Sequence, residues 1–429
     1  MTLGKERNVT NIAFIGLGAM GLRMAKRLAQ AKGIELSVYD IVPEHAAEMK
    51  GSARVASSIA DAIKGADGIF SVVPADRHTR AVVDEIAKTA APGQTFVDFS
   101  TIGPSTIEHV GKQLGALKVD TISAGMTKSI GGATNGTLSL FMGGPAQISA
   151  KLKPAFDAIA TDLMMVGSLG AAKALKLVNN MVVATLDIAI TEALALAQQY
   201  GFAMKDVTDA LHAKGGDSWP LHNHIIDHVL PNNLGPGFFS TRFLIKDMKL
   251  YTQFATEMKL PAHFTGLALA EYRGTAAHGM GDDYHMIVVR WLEKGAKIGE
   301  RAKTPFASGG TRESVLNQIV GGVVAIQALV SAEAVRILGR MGVKAKDAAF
   351  FLESGSAGND SLLGMVKALD GGKGAVTPSD ILKDLEAVIG LADAADVPGA
   401  VFEVGRHMTL ALLDRYGTEV DLWKAVIDK

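Results

Sequence analysis

Between an apolar run, Asn11 to Ile15, and an amphipathic segment, Leu22 to Ala31, stands the turn Gly16-Leu17-Gly18-Ala19-Met20-Gly21. Three glycines at this spacing, after a β-type run and before a helix, commit the chain to a strand–turn–helix unit, the opening of a parallel α/β sheet. Gly16 permits the tight bend, Gly18 lets the backbone approach a ligand, and Gly21 lets the helix lie close to the strand. The helix N-terminus then offers backbone amides and the positive end of its dipole to a pyrophosphate. Glycine makes up 47 of 429 residues, so the spacing alone would carry little weight; the flanking elements supply it.

The same alternation continues to about residue 167, with strands expected at Asn11–Ile15, Glu35–Tyr39, Gly68–Val73, Thr95–Asp98, Lys118–Thr121 and Leu138–Met142. The second of these ends at Asp40, 19 residues past Gly21, where a carboxylate binds the adenosine ribose hydroxyls of a dinucleotide. A carboxylate there repels a 2′-phosphate, and Ile41-Val42-Pro43 offers no cation for one. NAD is therefore expected over NADP.

After Gly170 the strand signal gives way to long helical segments, beginning with an Ala/Leu/Val-rich stretch from about Ala172 to Tyr200. This part contains an internal repeat: Glu192, Gly201, Asp206, Leu211 and Leu221 recur as Glu333, Gly342, Asp347, Leu352 and Leu362 at one offset of 141. Lys246-Asp247 and Pro261 recur as Lys383-Asp384 and Pro398 at an offset of 137, as a loop four residues shorter would give. Shared helix composition does not explain matched Gly, Asp and Pro positions. The expected organisation is a Rossmann-type dinucleotide-binding domain over 1–167 and two tandem all-α domains over 168–300 and 301–429, with Ala296 to Arg312 as a linker.

Lysine plus arginine number 43 against 44 acidic residues, so no basic footprint for nucleic acid or an anionic membrane exists, and a small molecule is the expected partner. The apolar segments Met181 to Ala197 and Ile319 to Val335 are broken by Asp187, Glu192 and Glu333 and read as core helices, not membrane spans. Without cysteine there is no disulfide, thiolate metal site or cysteine nucleophile, which suits a reducing cytoplasm. Met1 to Thr10 lacks the apolar stretch of an export signal, and a cytoplasmic location is expected.

With the Gly16–Gly21 turn in front, Asp98-Phe-Ser-Thr-Ile-Gly-Pro104 in the middle and Gly170 to Asn180 at the helical junction, the chain resembles the β-hydroxyacid dehydrogenase family. That family includes 3-hydroxyisobutyrate, tartronate semialdehyde and threonate enzymes and, more distantly, 6-phosphogluconate dehydrogenase. The resemblance covers roughly residues 11 to 295. It implies hydride transfer between a small 3-hydroxy carboxylate and the cofactor, with a semialdehyde or keto acid as the other partner of the reaction. Its catalytic pair, a lysine and an asparagine four positions later, falls on Lys176 and Asn180; Lys173 has the wrong spacing. A four-residue helical separation puts both on one face, in an apolar surround of Leu175, Leu177 and Val178. Burial and a positive nicotinamide ring both disfavour an ammonium, which suits a lysine to take the hydroxyl proton.

The resemblance further implies that Ser100 contacts substrate and Thr101 the cofactor, although Ser or Thr before Pro104 also reads as a helix cap. Val73 and Pro74 would line the nicotinamide side, Lys246 would lie near the cofactor, and Trp219 and Phe239 would line the substrate pocket. One departure stands out. Where the family's substrate loop has Ser-Gly-Gly, this chain has Ala124-Gly125-Met126, followed by a longer segment from Thr127 to Gly136.

His224 and His228 are four apart beside Asp227, but no third ligand is evident and no metal is expected. Asp282-Asp283-Tyr284-His285 reads as a helix cap. At the constant offset Lys176 maps to Asn317 and Asn180 to Gly321, so the second helical copy lacks the base and is expected to be structural. It would stand where a second subunit's helical domain stands in shorter relatives, replacing a subunit contact and leaving a homo-oligomer such as a dimer, or a monomer. An imine reductase-like enzyme and a non-catalytic NAD-binding protein are the alternatives; Lys176 speaks against both.

Overall fold

Eight strands form one sheet in the amino-terminal part: β1 Thr10–Ile15, β2 Ile34–Tyr39, β3 Arg54–Val55, β4 Gly68–Ser71, β5 Thr95–Asp98, β6 Asp120–Thr127, β7 Leu138–Gly143 and β8 Ala160–Gly167. The computed structural model describes residues 9–371, 376–418 and 420–427 of the chain; the reading of the first residues as free of an export signal rests on 1–8 and lies outside them. The chain separates into two units, residues 1–176 and 177–429.

In the first unit the spatial order is β3-β2-β1-β4-β5-β6-β7-β8, and every pair is parallel except β6 with β7. The order reverses direction between β1 and β4, which places the crevice for a ligand at the carboxyl ends of those two strands. Strand periodicity divides β1 between two cores: Ile12 and Phe14 pack with Met24, Leu28, Phe70 and Phe156 on one face, Ala13 and Ile15 with Ile69, Val83 and Phe96 on the other. Such burial on both faces is what parallel sheets require.

Three departures from the sequence reading have physical causes. Strand β3 is two residues long, below what a periodicity can signal. Strand β8 closes the edge of the sheet and leaves Thr161, Asp162 and Met165 outside, so it lacks the apolar alternation of a buried strand. Strand β6 runs on to Thr127, through Ala124-Gly125-Met126. That stretch, expected as a loop, pairs in register with Met142, Phe141 and Leu140 of β7. A short helix, Ser129–Asn135, follows.

The helix Leu169–Gln199 begins in the first unit and continues into the second, covering the expected stretch. From residue 170 to 197 every position on it is buried except Lys176. It and Arg312–Arg340 are the two described helices long and apolar enough to cross a membrane by composition, yet their most apolar windows are 100% and 72% buried within the fold.

In the second unit helix bounds recur at the offsets found in the sequence. The ends of Leu169–Gln199 and Arg312–Arg340 and the starts of Met204–Ala213 and Ala345–Glu353 lie 141 apart; the starts of Thr241–Glu257 and Pro378–Ala395, and of His263–Thr275 and Ala400–Tyr416, lie 137 apart. Backbone exceptions recur with them. Gly201 and Gly342 have φ of +82° and +81°, and Lys259 and Asp396 have +55° and +47°. The two helical stretches meet reciprocally: Trp219 N–H donates to the Gly358 carbonyl at 2.8 Å, and Asp360 N–H donates to the Asp217 carbonyl at 3.0 Å, around an antiparallel bridge between Ser218 and Asn359. Each of these residues contacts the counterpart of its neighbour 141 positions away, the pattern of an isologous twofold contact. Ser218 accepts from Leu221 N–H at 3.2 Å and Asn359 from Leu362 N–H at 3.1 Å, so even the caps correspond. The stretch from Ala296 to Arg312 is tied down at the end of the junction helix: Gln199 donates to the Ala302 carbonyl at 2.6 Å and receives Thr304 N–H at 2.9 Å.

Candidate active site

In the first unit the glycine turn differs in kind at each position. Gly16 has φ of +91°, and a Cβ on it would lie 2.1 Å from the Val72 carbonyl oxygen; one on Gly21 would lie 2.0 Å from that of Gly16. Both are demanded by the protein's own backbone. Gly18 is exposed, and a Cβ there would meet nothing within 4 Å. No described residue crowds position 18, and an open backbone of this kind is what a glycine in such a turn offers to a ligand's phosphates. The fit to a dinucleotide rests on that opening and on the N-terminus of the helix Gly21–Gln30 behind it. Asp40 accepts Leu17 N–H at 2.5 Å and Val42 N–H at 2.8 Å, fastening the turn to the end of β2. A cavity of about 510 Å³ opens beside it, lined by Tyr39, Asp40, Pro43, Lys50 and Ser57 among others.

Past β5 a buried network fixes the Ser100 segment. Lys173, 1% exposed, donates to the Asp98 carboxylate, the Asp98 carbonyl and the Ser100 carbonyl, each at 2.8 Å. Burial pushes the Asp98 carboxyl up and the Lys173 ammonium down, and their mutual attraction opposes both shifts. Ser100 is 2% exposed; its hydroxyl donates to Asp98 at 3.2 Å and accepts Val73 N–H at 2.9 Å. The expected substrate contact is thus buried and engaged within the protein, joining β5 to the Val73-Pro74 segment after β4. Thr101, next along, is half-buried. Gly125 lies under the junction helix, where a Cβ would come 2.9 Å from that of Lys176 and 3.3 Å from the Ala172 carbonyl oxygen. The glycine lets the helix pack against β6 at the turn that carries Lys176, whose side chain is half-buried.

In the second unit Asn180, 7% exposed, donates to Asp247 at 2.7 Å, and Asp247 pairs with Lys246 at 2.9 Å. Asn179, fully buried, donates to Asn180 at 3.2 Å and to Ser356 at 2.7 Å and accepts Ala357 N–H at 3.1 Å. Trp219 and Phe239 are half-buried.

Sequence reasoning missed the group behind those two aromatics. Asp187 accepts from His224 at 2.8 Å and from His285 at 3.1 Å, and all three are buried. The ring of Trp219 meets His224 edge-on at 5.0 Å, and His285 reaches the Phe239 carbonyl at 3.1 Å. The third partner that the His224–His228 reading lacked is therefore present, and it is not His228, which packs against Phe238 and Tyr284. Nor is His285 a cap. Burial drives the His224 ring down in pKa against the pull of Asp187, while the Asp187 carboxyl, despite burial, is held below its usual range by His224 and then His285. At the offsets of 141 and 137 the three positions read Ala328, Met365 and Leu422, all buried and apolar. The helical packing alone does not call for the polar group. A second cluster, His212, Asp217 and His222, lies nearer the surface with Asp217 bonded to both imidazoles.

A doubly wound sheet with a phosphate-type glycine turn, followed by a long buried helix with one half-buried lysine, is the architecture of an oxidoreductase that uses NAD or NADP. The family described as the NAD binding domain of 6-phosphogluconate dehydrogenase matches residues 11–167, and that described as NAD-binding of NADP-dependent 3-hydroxyisobutyrate dehydrogenase matches 170–292. The chain is 31% identical over 294 residues to the NAD-dependent L-serine dehydrogenase of Pseudomonas aeruginosa, covering 66% of this chain and 97% of that one. It is 28% identical over 294 residues to the mitochondrial 3-hydroxyisobutyrate dehydrogenase of Rattus norvegicus, covering 88% of it. Among solved structures, the 3-hydroxyisobutyrate dehydrogenase of Mycobacterium tuberculosis with L-serine aligns with a TM-score of 0.63 at 27% identity, over 66% of this chain and 99% of that one. The chain belongs to the β-hydroxyacid dehydrogenase family, whose members act on hydroxyl groups with NAD(P). The 6-phosphogluconate dehydrogenase of Plasmodium falciparum, at 14% identity and a TM-score of 0.69, shares the fold over 96% of this chain, the residues past 300 included.

Proposed function

We propose that this protein oxidises a small 3-hydroxy carboxylic acid with NAD, or reduces the corresponding semialdehyde or keto acid, with Lys176 as the general acid/base. The observation that carries the reading is the burial pattern of the junction helix: between 170 and 197 Lys176 alone is not buried. A lysine at the one position of this stretch that is not buried keeps its amine within reach of a bound substrate, whereas the buried Lys173 is spent on Asp98 and Ser100. In the oxidation the Lys176 amine takes the hydroxyl proton while the C–H bond gives up its hydride; in reduction Lys176 returns the proton to the carbonyl oxygen. NAD, when bound, is the hydride acceptor. Asn180, one helical turn on, holds the reacting oxygen with its amide. Ser100 acts as a positioning residue, since its hydroxyl is spent on Asp98 and Val73, and Thr101 stands nearest the cofactor. Trp219 and Phe239 shape the substrate pocket, with Lys246 on the cofactor side. NAD over NADP follows from the Asp40 carboxylate at the ribose end, which repels a 2′-phosphate.

Residues 168–300 and 301–429 are two copies of one helical unit, a reading supported by the recurring helix bounds, φ angles and caps. The second copy, with Asn317 and Gly321 in place of Lys176 and Asn180, carries no base; it fills the place of a second subunit's helical domain. The names of the relatives put L-serine beside 3-hydroxyisobutyrate, glycerate and threonate in the substrate panel. NADH formation across these acids tests the function: at least one is turned over, with kcat/KM at least about tenfold higher with NAD than with NADP, a difference of about 1.4 kcal/mol. Failure on every hydroxy acid in the panel, or preference for NADP, contradicts the reading.

A further inference from the structure

The hydrogen bonds around Asn180 have a direction imposed from both ends. At one end the Ala357 backbone N–H can only donate, so the Asn179 side-chain oxygen faces it, at 3.1 Å. The Asn179 amide nitrogen then points at Ser356 Oγ, 2.7 Å away, and at the Asn180 oxygen, 3.2 Å away. At the other end the Asp247 carboxylate accepts the Asn180 amide nitrogen at 2.7 Å. One donor-only and one carboxylate terminus therefore leave a single arrangement for two amides whose oxygen and nitrogen would otherwise be interchangeable. Asn179 lies on the first helical copy, while Ser356 and Ala357 belong to the second, 177 and 178 positions along the chain.

The second copy supplies an internal control. Asn179 and Asn180 correspond there to Val320 and Gly321 at the offset of 141, and Val320 is buried at 3% exposure. A valine fits the same helical position, so packing does not demand the amide of Asn179. Burying an amide costs free energy unless its bonds are made, and here they are made to the second copy on one side and to Asn180 on the other.

We propose that Asn179 is a positioning residue for the reaction, and that the second helical copy, through Ser356 and Ala357, fixes the orientation of the Asn180 amide. The second copy is then part of the catalytic apparatus in the same chain, and not only a structural replacement for a subunit. This rests on the reading of Asn180 as the residue that holds the reacting oxygen.

The test uses the full-length protein, NAD and the hydroxy acid of the panel that is turned over fastest. Asn179→Leu, close in size and without hydrogen bonds, is expected to lower kcat roughly 10- to 100-fold, as loss of an oriented amide does, with KM for NAD within about twofold. In the double variant Asn179→Leu/Asn180→Ala the loss is no larger than in Asn180→Ala alone, because both changes remove one device. Ser356→Ala lowers kcat less, and Ser356→Thr restores it, a rescue that a purely structural role would not give. Unchanged kcat in Asn179→Leu beside a fall in Asn180→Ala overturns the proposal. Should Asn179→Leu fail to fold, the serine pair decides, and equal kcat in Ser356→Ala and the parent overturns it. Unchanged kcat in Asn180→Ala instead overturns the reading beneath it.

Discussion

An alanine at Gly21 would put its Cβ 2.0 Å from the Gly16 carbonyl oxygen, whereas one at Gly18 would meet nothing within 4 Å. The two substitutions should therefore separate folding from binding. Gly21→Ala is expected to destabilise the protein by about 1–3 kcal/mol, the range for forced overpacking, read as a fall in Tm. Gly18→Ala should leave Tm unchanged and weaken NADH binding at least about tenfold, measured by the fluorescence of bound NADH. A Gly18→Ala variant with parental affinity would remove the pyrophosphate from that spot. The turn was legible in the sequence because its glycine spacing and the strand and helix that flank it are contiguous along the chain. The role proposed for Lys176 rests on a resemblance, and the burial around it came from the fold. The Asp187–His224–His285 group was not legible as a group: its bonds span 37 and 98 positions, and the sequence set His224 beside His228 and His285 in a cap.

The long helices Leu169–Gln199 and Arg312–Arg340 each bury one glutamate, Glu192 and Glu333, at matching positions 141 apart. Burial pushes the Glu192 carboxyl up to about 8 and the Glu333 carboxyl up to about 7. Glu192 accepts Val401 N–H at 3.1 Å, and the Tyr251 hydroxyl donates to Glu333 at 3.5 Å, so each ties its own long helix to a helix of the other helical stretch. A carboxyl that loses its proton near 4.5 when unfolded and only near 7 to 8 when folded favours the folded state fully below about pH 4.5. That contribution, on the order of a few kcal/mol, falls away as pH rises through 8. Tm is expected to decline from pH 5 to pH 9, and Glu192→Gln should flatten the decline; a decline equally steep in that variant would contradict the assignment. At this scale the sequence showed the junction helix, expected from about Ala172 to Tyr200, and most strands. It hid β3 and β8, which carry too little apolar alternation, and the continuation of β6, because Ala124-Gly125-Met126 resembles a loop until Met142, Phe141 and Leu140 of β7 pair with it.

Across the whole molecule, the offsets of 141 and 137 in sequence raised the expectation of two similar helical stretches, but not of the bridge between Ser218 and Asn359, since a contact between equivalent positions leaves no mark on either alone. Gln327, fully buried in the second stretch, donates to the Gly216 carbonyl of the first at 2.9 Å, and Tyr200 donates to the Leu391 carbonyl at 3.1 Å. Ending the chain after Lys297 would expose these groups together with the apolar face of Leu169–Gln199. The shortened protein is expected to aggregate or lose turnover by more than about 100-fold; parental Tm and kcat in it would show the second copy to be dispensable. The central claim, that this chain oxidises a hydroxy acid through Lys176, is tested most directly by Lys176→Ala in steady-state NADH formation alongside NADH binding. Lys176→Ala is expected to lower kcat about 10²- to 10⁴-fold with NADH affinity retained, and turnover at the parental rate in that variant would contradict the claim.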